Sequence, residues 1–387
     1  MLAATRSSWS TLVDPICKFK DLVYDASLAK KDRKSLTDLD LRNNRLLEVR
    51  NLHHLPRLEH LNLGKLNHRW PYQSLLMIVD DNEIEEFPLA DGTVGRCKSL
   101  RSLRLNRNGM AMLDVDGHFP RLETLYVDGN CLTNVPGLEH LRYLRTFSAR
   151  DQMLSSDSDT ETCVSNLVRN CDVRNLYISL NPTNGLELSQ HLLNLQRLEL
   201  ASMGLKELPD NFGQLTPNIR SINLNFNSIK DLRPLLNIKR LDELLLAGNK
   251  LERLRANAMV LGKLATLSKL DWRDNPLTLR FYAPTSENRV MSLRQKPSEE
   301  QLTDRFVLPE GDAEADSQHL LRLDFETRIR RRVTEMMLAN LCRNLRVLDG
   351  LVFDKARVLV KDDIWERMLL LGVIQRKQPE KASSQAG

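Results

Sequence analysis

His53, His54 and His60 come nearest to a metal-ligating cluster in this 387-residue sequence. Zinc sites need paired ligands at short, fixed spacing, and these three fall into no such pattern, so they read as surface side chains. The six cysteines, Cys17, Cys97, Cys131, Cys163, Cys171 and Cys342, include no C-x-x-C pair. The sequence holds no G-x-x-x-x-G-K-[ST] phosphate loop, no G-x-S-x-G nucleophile elbow and no H-E-x-x-H pair. No enzyme is expected, and with it no metal, no cofactor and no small-molecule substrate. The chemistry left is recognition. Arg104, Arg107, Tyr126, Asp128, Arg150, Tyr177, Glu199, Asn225 and Phe226 include the arginine and tyrosine that dominate protein interface anchors. They lie far apart along the chain, so their meaning depends on the elements that bring them together.

Those elements come from a repeat. The pattern L-x-x-L-x-L-x-x-N-x-L-x-x-L starts at Leu36, with Leu39, Leu41, Asn44, Leu46 and Val49, and recurs from Leu58, Leu100, Leu122, Leu144, Val173, Leu195, Ile219, Leu241 and Leu267. A half-copy stands at Leu345 and Leu348. Many adjacent starts differ by 22 residues, a regularity that chance hydrophobic patterning would not keep. In L-x-L both leucines point to one face of a short extended segment and the residue between them points to the other. Stacked copies therefore predict a parallel sheet with an inward apolar spine. The asparagine falls where the chain leaves the sheet, and its amide can satisfy backbone groups that a buried bend would orphan. Asn44, Asn82, Asn108, Asn130, Asn181, Asn227, Asn249 and Asn275 form this expected ladder, with Gln152 and Met203 standing in its fifth and seventh copies. Glutamine can partly substitute there; methionine cannot, and a looser turn is expected at Met203.

This is a leucine-rich-repeat solenoid of the α/β class. A parallel β-sheet lines its concave face, short helical or 3₁₀ segments return along the convex face, and a helical cap closes the C-terminal end. A single copy cannot bury its own apolar face, so the stack is cooperative and needs caps. Register places the outward columns of the sheet on the concave side, one of them running through Arg104, Tyr126, Tyr177 and Glu199, the next through Asp128, Arg150 and Asn225. Arg107 and Phe226 lie just beyond. The concave face around Arg104, Tyr126, Arg150 and Tyr177 is the expected protein-binding surface, and charge reversal at Arg104 and Arg150 is expected to weaken capture without disturbing the fold.

Residues 1–35 read as an N-terminal extension and partial cap, and 36–277 as the repeats. Residues 278–360 form a C-terminal cap with the last half-repeat, and 361–387 a terminal helix and disordered tail. Deleting 65–80 would restore a perfect second copy with Asn82, Ile84 and Phe87 in place. That segment is either a retained intron, since Gly64-Lys65 can be encoded across a GTAAG donor, or a genuine surface loop. Within the cap, one helix is expected from about Gln318 to Leu341, with Leu321, Phe325, Ile329, Val333, Met336 and Met337 facing the core. The run Arg328, Arg330, Arg331, Arg332 reads as a solvated face or a site for an acidic partner. Ser155, Ser156 and Ser158, in an acidic stretch of a copy lengthened to 29 residues, are either phosphorylation sites or part of an ordinary loop.

Lys and Arg number 56 against 51 Asp and Glu, a formal charge of +5. That balance is too small and too evenly mixed to predict nucleic-acid or membrane binding. Asn181-Pro182-Thr183 is barred from glycosylation by its proline. No stretch of about 20 apolar residues and no signal-peptide pattern occurs, and a soluble, cytosolic protein is expected.

Two resemblances add to this reading. The 22-residue copies are similar to the phosphatase-regulator type of leucine-rich repeat, which implies fold and, as an alternative function, a regulatory subunit targeting a protein phosphatase. More specifically, NPLTLRFYAP, a polar insertion and then LRLDFETRIRRRVTEMMLANLCRNLRVLDGLVF resemble the end of the repeat domain in a particular group of fungal spindle-pole-body scaffolds. These are the scaffolds of the septation initiation and mitotic exit networks, related to animal centriolin. The resemblance runs over roughly residues 36–360. It implies a non-catalytic cytoplasmic scaffold, cytoskeletal at the spindle pole body, whose protein partners are signalling or spindle-pole-body components. Members of that family carry a long N-terminal region not found in this sequence, so either the gene is truncated or misread, or this is a fragment that keeps only the repeat domain.

Overall fold

The computed structural model describes residues 100–154, 164–167, 172–183, 185–188, 190–283 and 306–374, with two further strands at Asp38–Asp40 and His60–Asn62. One twelve-stranded sheet runs through them in sequence order. Its strands are β1 (Asp38–Asp40), β2 (His60–Asn62), β3 (Ser102–Arg104), β4 (Thr124–Tyr126), β5 (Thr146–Ser148), β6 (Asn175–Tyr177), β7 (Arg197–Glu199), β8 (Ser221–Asn223), β9 (Glu243–Leu245), β10 (Lys269–Asp271), β11 (Val347–Leu348) and β12 (Leu351–Val352). Neighbours from β1 to β11 are parallel, and β12 folds back antiparallel on β11. Each strand from β1 to β11 begins two residues after a repeat start, as the pattern requires. β2 pairs directly with β3; residues 65–80, Asn44, Asn82, His53, His54 and Ser155, Ser156 and Ser158 lie outside the described residues.

Inward leucines fuse the coils into one core. Leu103, Leu125, Phe147, Leu176, Leu198, Ile222, Leu244 and Leu270 stand opposite one another across the strands, each 2% exposed or less. Full burial of such a side chain is worth roughly 1.5–3 kcal/mol. On the convex side the return segments are short: 3₁₀ turns at Leu138–His140 and Arg233–Leu235, and helices α1 (Phe212–Leu215) and α2 (Leu254–Leu261).

The asparagines stitch the turns. The Asn130 Oδ1 accepts from Asn108 N–H at 3.0 Å and Met110 N–H at 3.2 Å, while its Nδ2 donates to Leu105 and Val127 carbonyls at 2.8 Å. Asn181, Asn227, Asn249 and Asn275 repeat the arrangement, and Asn108 donates to Leu105 carbonyl. Gln152 enters the ladder too, donating to Val127 carbonyl at 3.0 Å and accepting from Leu132 N–H at 3.0 Å. At Met203 the side chain offers nothing, and the Thr183 N–H donates instead to the Met203 carbonyl at 2.9 Å. One residue before each ladder position the backbone is left-handed: Arg107, Gly129, Asp151, Leu180, Ser202, Phe226, Gly248 and Asp274 all have φ between 53° and 69°. Only glycine adopts that conformation freely, so the turn geometry is imposed by the stack on six residues with side chains.

The cap differs from the single amphipathic helix expected. Two helices, α3 (Ala313–Arg322) and α4 (Phe325–Leu341), are separated at Asp324, whose carboxylate caps α4 by accepting from Thr327 N–H at 2.9 Å. The break resets the helical phase. Thr327, Arg331, Thr334 and Leu338 are the buried residues of α4, while Leu321 and Phe325 are exposed and Ile329, Val333, Met336 and Met337 are half-buried. The arginine run is only partly a solvated face: Arg330 is exposed, but the other three are engaged within the chain. Arg331 is buried and donates to both Asp316 oxygens at 2.9 and 2.7 Å, to Glu335 at 2.9 Å and to the Phe281 carbonyl at 2.9 Å. Arg328 donates to the Leu320 and Leu321 carbonyls, and Arg332 to the Val360 carbonyl. Helices α5 (Lys355–Val358) and α6 (Asp363–Leu370) close the described chain.

Under this cap Asp349 is 1% exposed, its Oδ1 accepting from Trp272 N–H at 2.8 Å. Its Oδ2 has no partner of hydrogen-bond geometry among the described residues, although the Tyr282 hydroxyl is close by. Burial, reinforced by the Asp271 charge, pushes the carboxyl up to about 8. The folded state therefore holds a proton that the unfolded chain releases near pH 4. That contribution to stability is complete below pH 4 and is lost as pH rises through about 8. Asp349→Asn keeps the acceptor and removes the titration. Its melting temperature should exceed that of the parent by a margin that widens from pH 6 to pH 9, reaching at least about 2 °C; parallel melting curves across that range would rule the assignment out.

Candidate partner-binding surface on the concave sheet

Parallel pairing brings the outward residues of β3 to β7 into adjacent columns, and exposure divides the expected docking residues into two groups. Arg104, Arg107 and Tyr126 are half-exposed, as is Phe226 further along. The Arg104 guanidinium lies 5.0 Å from the Tyr126 ring centroid, a cation–π contact that orients both side chains. Asp128, Arg150, Tyr177, Glu199 and Asn225 are buried instead, with Arg150 only 1% exposed.

The buried group is a closed polar network. Arg150 donates to Glu199 through both Nε and Nη2, at 2.6 and 2.9 Å, reaching across β6 to do so. Its Nη1 donates to the Ser148 hydroxyl at 3.2 Å and lies 3.4 Å from Asp128 Oδ2. Ser148 donates to Asp128 at 2.6 Å and Ser179 to Glu199 at 2.7 Å. Tyr177 stacks beneath, its ring centroid 4.5 Å from the Arg150 guanidinium. Burial alone would lower the affinity of Arg150 for its proton, but the Glu199 and Asp128 carboxylates outweigh it and hold the guanidinium's pKa above its ordinary value. The expectation that charge reversal at Arg150 would spare the fold is thereby corrected: a glutamate there would face two buried carboxylates. An outward position on a sheet is not an exposed one when the sheet curves inward and long side chains from neighbouring strands converge.

Asn225 has a different occupation. Its Nδ2 and that of Asn223 both donate to the Phe306 carbonyl, at 2.8 and 3.2 Å. Further along, Arg273, paired with Asp271 at 2.6 Å, donates to the Pro309 carbonyl at 3.1 Å, and Gly311 N–H donates to the Gly350 carbonyl at 3.0 Å. The chain's own residues 306–311 thus cross the concave face from β8 to the end of β11. The sequence places this segment within the C-terminal cap, 278–360. The one local signal for it was the apolar pair Phe306 and Leu308 after a long polar stretch.

Among the described residues no group of three or more histidine, cysteine, aspartate or glutamate side chains is placed to hold a metal ion, and no helix is long and apolar enough to cross a membrane. The accessible chemistry is the Arg104, Arg107 and Tyr126 patch, able to accept carboxylates and to stack against apolar or cationic groups.

No family model matches the chain. It is 34% identical over 181 residues, 47% of its length, to the septation initiation network scaffold protein cdc11 of Schizosaccharomyces pombe, and the match spans 17% of that protein. Similar solved structures include the Drosophila Toll–Spätzle complex, with a TM-score of 0.49 and 19% identity over 64% of this chain and 31% of that one. Human trophoblast glycoprotein is another, with a TM-score of 0.41 and 16% identity over 76% of this chain and 94% of that one.

Proposed function

We propose that this chain is the leucine-rich-repeat part of a non-catalytic scaffold of septation or mitotic-exit signalling, which captures signalling proteins on its concave face and works at the spindle pole body. The observation that carries the reading is the 34% identity to a septation initiation network scaffold. The curved sheet supports it, because solenoids of this kind present extended concave surfaces to partners. Within that surface the docking residues are Arg104, Arg107 and Tyr126, half-exposed on adjacent coils, with Phe226 as an apolar addition. Asp128, Arg150, Tyr177, Glu199 and Asn225 serve this role by shaping the floor. No observation favours the phosphatase-targeting alternative.

A tagged chain followed through mitosis in a fungal cell should gather at the spindle poles; a signal that stays diffuse at every stage would count against the reading. The Arg104→Glu/Arg107→Glu variant should lose captured signalling proteins by about 30-fold or more, the scale of an arginine hot spot. Its melting temperature should stay close to that of the parent, since surface changes are usually worth within about 0.5 kcal/mol. Undiminished capture by this variant would move the docking surface elsewhere.

A further inference from the structure

The segment from Phe306 to Gly311 lies in the concave face as a bound peptide would. Three inter-strand steps separate β8 from β11 by about 14 Å, and five extended residue steps span about 16–18 Å, so the segment crosses nearly perpendicular to the strands. Phe306 and Leu308 are buried at 3% and 4%, Val307 and Pro309 half-buried, and Glu310 exposed. Between the segment's two anchor points lies the β9 coil, whose outward residues Leu245 and Ala247 are apolar and buried. Held this way, the segment gives up backbone carbonyls, not side-chain chemistry, to its hosts: Phe306 to the Asn223 and Asn225 pair, Pro309 to Arg273. Main-chain recognition, with specificity left to alternate side chains, is a general mode of reading an extended peptide.

The geometry points to a peptide-binding groove across β8 to β11, filled in this chain by its own residues 306–311, that takes in trans an extended partner segment with apolar residues at alternate positions followed by proline. This is independent of the septation reading and of the Arg104 patch, which lies at the other end of the described sheet. A tethered occupant competes at an effective concentration in the millimolar range, so the intact chain presents the groove as closed and a partner engages it only after the segment is displaced.

The test uses the full chain and a fluorescent peptide spanning residues 304–312. By anisotropy, Phe306→Ala/Leu308→Ala should bind the peptide at least about tenfold more tightly than the unaltered chain, whose own segment competes. A peptide with serine at both apolar positions should fail to compete. Equal binding by both chains, no binding by a variant that keeps its near-ultraviolet dichroism, or a variant that no longer folds would each overturn the proposal, the last by making the segment a permanent part of the cap.

Discussion

Replacing Arg150 with methionine is expected to lower the unfolding free energy by about 3–5 kcal/mol, the usual cost of deleting one partner from a buried charge pair. Methionine replaces the apolar stem of the side chain but not its guanidinium, and leaves Glu199 and Asp128 without a cation in a region where Arg150 was 1% exposed. The serine hydroxyls at 148 and 179 still donate to these carboxylates, which tempers the loss without supplying charge. Adding Asp128→Asn and Glu199→Gln to the same chain should recover most of it, because a neutral network no longer strands a charge. Urea unfolding of the single and triple variants reads this directly. A single variant within 1 kcal/mol of the parent would mean that the network contributes little beyond what water would.

Asn227→Leu should be nearly as severe, and more severe than the same change at Asn249. Asn227 Oδ1 accepts from both Met203 and Leu205 N–H at 3.0 and 3.1 Å, and its Nδ2 donates to Leu200 and Leu224 carbonyls at 2.8 and 2.9 Å. Leucine fills the volume and orphans three of the four, since the Leu224 carbonyl keeps its bond from Asn249 Nδ2 at 2.9 Å. Each orphaned buried group costs about 1–3 kcal/mol, and local relaxation brings the total to about 3–5 kcal/mol. The preceding coil has Met203 where an amide would stand, so it has no ladder side chain of its own and depends on Asn227. Asn249 orphans fewer groups, accepting only from Ile229 N–H. Amide hydrogen exchange at Met203 and Leu205 should accelerate by at least about tenfold in Asn227→Leu. Equal destabilisation at both positions would show that the Met203 coil needs no outside support.

The periodic parts of this fold were legible in the sequence because each is a local rule repeated: a leucine pair facing inward, an asparagine where the chain turns, a strand two residues past every start. Gln152 could be assigned to the ladder from its chemistry alone. What local rules could not reach was anything depending on where distant segments land. Register puts Arg150 in an outward column of the sheet, yet its exposure depends on Glu199, two strands away and 49 residues on. Register puts Asn225 there too, but its partner is a carbonyl 81 residues distant. The α4 stripe failed for a different reason. Continuous apolar spacing ignores Asp324, whose capping of a new helix shifts the phase, and the face so buried carries Thr327, Arg331 and Thr334, held by their own hydrogen bonds, beside Leu338.

The span from Asp128 to Glu199 ties β4, β5, β6 and β7 together on their concave side, on top of the backbone ladder that joins each to the next. A coil spring riveted along its inner edge keeps its radius. In this stretch the arc is set before any partner arrives, so a molecule seated beside Tyr126 meets a stiff mould whose contour it must already match.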